Sequence, residues 1–300
     1  MKILTSVIGS YPPTDSNGRP ITLEQAVQAQ LDVGIDVITD GQTTGDMIDI
    51  FAGKISGIEL HEQNGRRQYE IAGELGRPAD GIIVPDQRRA KTYLSRKKSQ
   101  ALLKGVVTGP YTLAKACANN YYGSEKDAAL ALAEVLNTEL RELQGVVDVL
   151  QIDEPSFYNG APDYAENLFM ELTKGVKKEI ILHAHANKNH DLRAEVRKVA
   201  GLPVQVLSYD FTANPQIFNV LRGFQFNQAI SLGCVRTDVS YLPDVDAVKQ
   251  RIMQVCGHFG DKIKYVTPDC GLRLKTQDSA NKVMRRLVAA RDSVCRAQGF

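Results

Sequence analysis

Short apolar runs rich in Val and Ile recur along the chain at positions 3–8, 35–39, 102–107, 146–152, 179–182, 204–207, 224–230 and 263–266. Each has the length of a strand buried on both faces. The stretches between them carry helical spacing. One begins at Thr22-Leu23-Glu24-Gln25 with Thr22 as its N-cap. Another runs from Ser124 to Gly145 with Leu130, Leu132, Leu136, Leu140 and Leu143 on one apolar stripe, and a third runs from Thr276 to Ala297. Strand and helix alternate from end to end. No Gly-x-Gly-x-x-Gly follows the first run, so the pattern predicts a (β/α)8 TIM barrel over residues 1–300 as one domain, not a doubly wound sheet.

One insertion breaks the rhythm. From Ile55 to Asp86 the chain carries an Asn64-Gly65 turn signal between Ile58-Glu59-Leu60 and Tyr69-Glu70-Ile71, followed by a Gly/Pro-rich connection. This predicts a hairpin and loop that extend one rim after the second strand.

In a barrel of this kind the residues just after each strand gather at one rim. Here they are polar: Gly9-Ser10, Asp40-Gly41-Gln42, Thr108-Gly109-Pro110, Asp153-Glu154-Pro155, His183-Ala184-His185, Asp210, Ser231-Leu232-Gly233 and Asp269-Cys270-Gly271. From three separate strand ends, His183, His185, Asp210 and Cys270 offer two imidazoles, a carboxylate and a thiolate. That set suits Zn²⁺ and leaves room for a substrate atom. A thiol that binds such an ion becomes a nucleophile at neutral pH. Asp153 and Glu154 are adjacent acids at the barrel centre, costly to bury without partners. Asp153 reads as ligand-binding and Glu154 as its hydrogen-bonded support.

Charge narrows the partners. With 36 basic and 35 acidic residues the formal net charge is +1, which gives no electrostatic reason to expect nucleic acid or an anionic membrane. The five cysteines form no Cys-x-x-Cys pair and are odd in number, which argues against a disulfide framework and for a reducing compartment. With no signal-length or bilayer-length apolar stretch, the expected location is the cytoplasm. Cys117, Cys234, Cys256 and Cys295 read as small apolar side chains, and His190 and His258 as surface or capping residues.

Four stretches together resemble the catalytic barrel of the cobalamin-independent methionine synthase family: Thr5-Ser6-Val7-Ile8-Gly9-Ser10-Tyr11-Pro12, Lys104-Gly105-Val106-Val107-Thr108-Gly109-Pro110, Gln151-Ile152-Asp153-Glu154-Pro155 and Thr267-Pro268-Asp269-Cys270-Gly271-Leu272. The resemblance implies a zinc ion held by a His-x-Cys pair, a Glu and a second Cys, which activates the thiol of homocysteine for methyl transfer. His183 and Cys270 match that set. The His-x-Cys pair reads His183-Ala184-His185, and the Glu falls at Asp210; both replacements remain competent zinc ligands. Exchanging a thiolate for an imidazole makes the site less negative and the ion a stronger Lewis acid. The resemblance also implies that the homocysteine carboxylate sits at Ile8-Gly9-Ser10. Its ammonium is then held by Asp153 and by a second carboxylate, whose position reads Gln42.

The donor side departs most. Trp is absent from the chain, and the family's pterin-stacking Trp falls at Ala116, so the resemblance is to short core methionine synthases that take the methyl group from a methylated corrinoid protein. The implied enzyme is a zinc-dependent methyltransferase, with His183, Cys270 and Asp153 as catalytic residues and homocysteine and methionine as acceptor and product. Two other readings stay open: alkyl transfer to another thiol such as coenzyme M, and a non-catalytic barrel that binds zinc or an amino acid.

Overall fold

The computed structural model describes residues 3–63, 65–187 and 191–298. Its strands are β1 (Leu4–Thr5), β2 (Val37–Ile38), β3 (Ser56–Gln63), β4 (Arg66–Gly76), β5 (Leu102–Thr108), β6 (Cys117–Asn119), β7 (Val149–Glu154), β8 (Ile180–Ala184), β9 (Val206–Tyr209), β10 (Ala229–Val235) and β11 (Ile263–Pro268). The helices are α1 (Leu23–Val33), α2 (Met47–Ala52), α3 (Val84–Arg96), α4 (Pro110–Ala116), α5 (Glu125–Leu143), α6 (Ala165–Thr173), α7 (Leu192–Ala200), α8 (Gln216–Arg222), α9 (Val245–Phe259) and α10 (Gln277–Gln298). Eight strands form one parallel sheet in the order β1-β11-β10-β9-β8-β7-β5-β2. A parallel bridge between Ser6 and Val37 joins its two edges, so the sheet closes into the expected (β/α)8 barrel.

The sheet is closed at one end by a small apolar layer inside the barrel, made of Val37, Val149, Ile181, Val206 and Tyr265 with Leu4 and Ala229. The larger core lies between the sheet and its ring of helices. Two residues beyond the floor positions of β7, β8, β9 and β10 the interior turns polar, with Gln151, His183, Ser208 and Ser231 buried, and on β5 Lys104 is buried beside Val149. Apolar floor and polar upper layers together aim the chemistry at the carboxyl ends of the strands.

The helices begin where the sequence marks them. Thr22 accepts from Gln25 N while the Gln25 side chain accepts from Thr22 N, a complete capping box worth about 1 kcal/mol. Ser124 caps α5, and Ala129, Leu132, Leu136, Leu140 and Leu143 are buried along its inner face. The run at 224–230, expected as a strand, is not one. Phe224 and Phe226 pack on each other, and Phe226 also meets Phe259 outside the sheet. The strand instead starts at Ala229, whose small side chain fits the barrel floor, and Ser231-Leu232-Gly233 lie inside it, not at the rim.

The insertion forms the predicted hairpin, with Ile58 opposite Ile71, Glu59 opposite Glu70 and Leu60 opposite Tyr69. Of its turn signal, Asn64 lies outside the described residues, and Gly65 takes a positive φ of 70°. Among the ties that hold the hairpin to the barrel, β4 pairs in parallel with β6, the Tyr69 hydroxyl donates to Asp49 of α2 at 2.7 Å, and Arg67 pairs with the same carboxylate.

The connection from the hairpin to α3 is anchored by one carboxylate. Glu139, fully buried on α5, accepts from Ile82 N at 2.9 Å, Ile83 N at 2.7 Å and Val84 N at 3.1 Å, and also takes the Arg77 Nε at 2.5 Å. It therefore satisfies the orphan amides at the start of α3 and a guanidinium together. Glu139→Ala is expected to cost about 3–5 kcal/mol, because it strands those donors in the interior. Glu142→Ala, which removes a more exposed partner of Arg77 and Arg88, should cost less than about 1 kcal/mol. Urea denaturation midpoints of the two variants check the contrast.

Candidate metal and substrate site

The register of three neighbouring strands builds the centre of the site. Asp153 pairs with His183 across β7 and β8, and His183 pairs with Ser208 across β8 and β9. Each imidazole thus meets the residue at its own height on β9 or just beyond it. His183 Nδ1 lies 3.2 Å from Ser208 Oγ, and His185 Nδ1 lies 3.2 Å from Asp210 Oδ2. With both Nδ1 atoms engaged, the Nε2 atoms are the ones left to face a ligand. His185 Nε2 stands 3.7 Å from Cys270 Sγ, and the buried His183 Nε2 has no hydrogen-bond partner.

Donor atoms of His183, His185 and Cys270 lie within 4.8 Å of one another. Three soft or borderline donors at that spacing, one of them an orphaned imidazole nitrogen, are chemically suited to a Zn²⁺ ion with a fourth position open. Electrostatics agree. Burial disfavours a charged His185, but the hydrogen bonds to Asp210 and Cys270 outweigh it and hold the ring up at about 10. Surroundings that favour a proton there also favour a metal cation in its place. Burial, with His185 and Lys104 nearby, keeps His183 neutral and its pKa well below the ordinary histidine value.

Asp210, expected as a fourth ligand, stands outside that three-residue group. Its Oδ2 accepts from Asn214 Nδ2 at 2.7 Å as well as facing His185, so the carboxylate backs the imidazole from behind. The cause is length and placement: Asp is a methylene shorter than Glu, and Asp210 is at the height of His185. Asp269 steadies the loop that carries it, accepting from Thr212 N at 3.2 Å and Ala213 N at 2.9 Å. Its acid is pushed up to about 6 by burial against those two bonds.

A cavity of about 330 Å³ opens beside the three donors, and Ile8, Gly9, Ser10, Gln42, Asp153, His183, His185 and Cys270 all line it. Glu154, expected as the hydrogen-bonded support beside Asp153, is not part of this lining. It is fully buried and turned to the start of α4, where it accepts from Tyr111 N at 3.0 Å, Thr112 N at 2.8 Å and Thr112 Oγ1 at 2.6 Å. Burial pushes its acid up to about 7 despite these donors. Gly109 is what lets it in, since a Cβ there would fall 2.2 Å from the Glu154 carboxyl group. At the mouth, Gly271 allows the Ser10 hydroxyl to approach in the same way, to 2.3 Å of where its Cβ would be.

Gln42 is backbone-strained. It takes a φ of 49° directly after Gly41 at 81°, a left-handed pair that turns the β2–α2 connection into the cavity. Arg273, which sequence reasoning did not single out, holds this turn by donating to Gln42 O at 3.1 Å and Gly45 O at 2.9 Å. Arg273, Asp46, Met47, Pro155 and the fully exposed Leu274 also line the cavity, with Gly45 and Gly271. A cavity of about 390 Å³ between α8 and α9 lies outside the barrel and contains none of these groups.

The family model described as "Cobalamin-independent synthase, Catalytic domain" matches residues 19–292. The chain belongs to this family. It is 28% identical over 316 residues to the methionine synthase of Methanothermobacter thermautotrophicus, covering 96% of this chain and 99% of that protein. The methionine synthase of Methanocaldococcus jannaschii is 25% identical over 318 residues, with 96% and 98% covered. In fold, the chain resembles a B12-independent methionine synthase from Shewanella sp. W3-18-1, solved in complex with selenomethionine, with a TM-score of 0.79 at 18% identity over 99% of both chains. Family membership agrees with the four stretches that carried the resemblance. No helix among the described residues is long and apolar enough to cross a membrane.

Proposed function

We propose that the protein is a zinc-dependent methyltransferase that methylates the thiol of homocysteine to give methionine. The carrying observation is one cavity in which His183, His185 and Cys270 stand together while Asp153 lines another part of the same wall. The names of the relatives support the reaction class, and the Shewanella relative of the same fold was solved in complex with selenomethionine, an amino acid of the product's class.

In this reading His183, His185 and Cys270 hold the ion, and Asp210 fixes the orientation of His185. An ion held by these three residues would supply Lewis acidity, depressing the pKa of an acceptor thiol toward neutrality. The protein's own groups supply orientation. Asp153 and the Gln42 side chain take the ammonium, the Ile8-Gly9-Ser10 turn takes the carboxylate, and sulfur is left pointing at the three donors. The S–CH₃ bond forms as the donor's bond to the methyl carbon breaks, and the thiol proton passes to water.

The donor is the finer part of the proposal. The comparisons lend no support to a corrinoid protein, and the family description names a cobalamin-independent synthase. The case for a corrinoid rests on the absence of Trp from all 300 residues, which leaves no indole to stack on a pterin. An acceptor thiol other than homocysteine remains an outcome of the tests below.

Metal analysis should give one zinc per chain. Cys270→Ser should lower occupancy, and Asp210→Asn should weaken zinc affinity by about 10- to 100-fold through loss of the group behind His185. A zinc content near zero that added zinc cannot restore would overturn the mechanism. For the acceptor, Asp153→Asn should weaken homocysteine more than Gln42→Ala does, because a buried carboxylate–ammonium contact carries more energy than a neutral one. Gln42→Glu should tighten it, and calorimetric titration of the three variants reads the order. Methylcobalamin should outperform methyltetrahydrofolate as methyl donor; turnover on the folate alone at about 1 s⁻¹ or faster, an ordinary enzymatic rate, would reverse that assignment.

A further inference from the structure

Lys104 lies on β5 inside the barrel with no solvent exposure, an expensive place for an ammonium group. The chemistry above gives it no task. Its Nζ donates to two acceptors, the Val7 carbonyl and Gln151 Oε1. Gln151, equally buried on β7, then donates through Nε2 to the Ile8 carbonyl at 2.9 Å and to Asp153 Oδ1 at 2.6 Å. A carboxamide is nearly symmetric in shape, and its neighbours decide which end points where. An ammonium can only donate, so it draws the oxygen of Gln151 toward itself and sends the NH₂ group to Asp153 and Ile8.

We propose that Lys104 is a positioning residue for the amino-acid end of the acceptor, acting through the Gln151 carboxamide on Asp153. The inference rests on the acceptor reading given above. Gln151 occupies Oδ1 of Asp153 and leaves Oδ2 for the ligand's ammonium. The same carboxamide ties Asp153 to the Ile8 carbonyl, so the group that reads the ammonium and the turn that reads the carboxylate are set at a fixed separation. The pair is also an ion pair with an amide between its members. Lys104 places a positive charge behind Asp153 without competing for the oxygen that the substrate needs. Burial pushes the Asp153 acid up and the Lys104 ammonium down, and each partner opposes the shift of the other.

Removing the ammonium should spoil this arrangement in a specific way. In Lys104→Met the Gln151 oxygen loses its donor and the carboxamide is free to turn its oxygen toward Asp153. In Gln151→Glu a second carboxylate faces Asp153 where a donor stood. Both changes act on ammonium recognition; whatever they do to the Val7–Ile8 turn through the lost contacts falls equally on two ligands that share the same carboxylate and thiol.

The test compares homocysteine with 4-mercaptobutanoate, which has the same thiol and carboxylate but no ammonium, by calorimetric titration of zinc-loaded wild type, Lys104→Met and Gln151→Glu. The readout is the ratio of the two affinities, which cancels any general loss of folding or metal. Wild type should prefer homocysteine, and each variant should lose about tenfold of that preference, the loss of one hydrogen bond to a charged group. If Lys104→Met does not fold, Gln151→Glu carries the test. An unchanged ratio in the variants, with both ligands weakened equally or not at all, would make Lys104 a structural residue and overturn the proposal. A wild type without preference would instead overturn the acceptor reading, and this proposal with it.

Discussion

Asp153, His183 and Ser208 stand side by side on three neighbouring parallel strands, so a group that faces the axis on one strand has a partner at its own height on the next. This register is what the site depends on. A slip of one residue in β8 would turn both imidazoles out of the barrel and bring Leu182 and Ala184 in. The apolar floor prevents the slip: Ile181 must stay beside Val206 in the small closed layer, and His183 and His185 follow by the two-residue repeat.

Above that floor the barrel interior holds an ammonium, an amide, two imidazoles and several carboxylates, and most have a specific partner. Glu154 is committed to the start of α4, Asp269 to the loop after β9, Asp210 to His185 and Asn214, and Lys104 to Gln151 and Val7. Against this background the unpartnered Nε2 of His183 and Oδ1 of Asp210 stand out. Orphaned buried polar atoms are rare in folded proteins, and two of them beside a thiol and a second imidazole mark where function is exchanged for local stability.

How much of this was legible in the sequence depends on the range of the interaction involved. Seven of the eight barrel strands coincide with the Val/Ile runs, and the hairpin register follows its alternation, because these are local patterns. The run at 224–230 misled because Phe224 and Phe226 are as apolar as strand residues, yet they belong to an aromatic cluster with Phe259, more than thirty residues on. Asp210 reads from the sequence as a fourth ligand, and the structure sets its Oδ2 against His185 and Asn214; a carboxylate that ligates and one that backs an imidazole look alike in one dimension. The matching spacing of His183-Ala184-His185 and Ser208-Tyr209-Asp210 was the available signal. Arg273 carried none: it acts on backbone carbonyls of a turn 228 residues or more away, and carbonyls have no sequence identity.

The seam where the barrel closes is its thinnest part. β1 and β2 have two residues each, and a single bridge from Ser6 to Val37 joins them. Asp36 supplies the missing strength by accepting from Thr5 N and Thr5 Oγ1, both at 2.8 Å, and by pairing with Arg291, which also donates to Ile3 O at 2.8 Å. Arg291 lies 255 residues after Asp36, on α10. During synthesis from the amino terminus, then, the first two strands leave the ribosome long before their latch does. The metal and substrate cavity has Ile8, Gly9, Ser10 and Gln42 on the two sides of that seam, so the latch on the last helix is also a brace for the pocket wall.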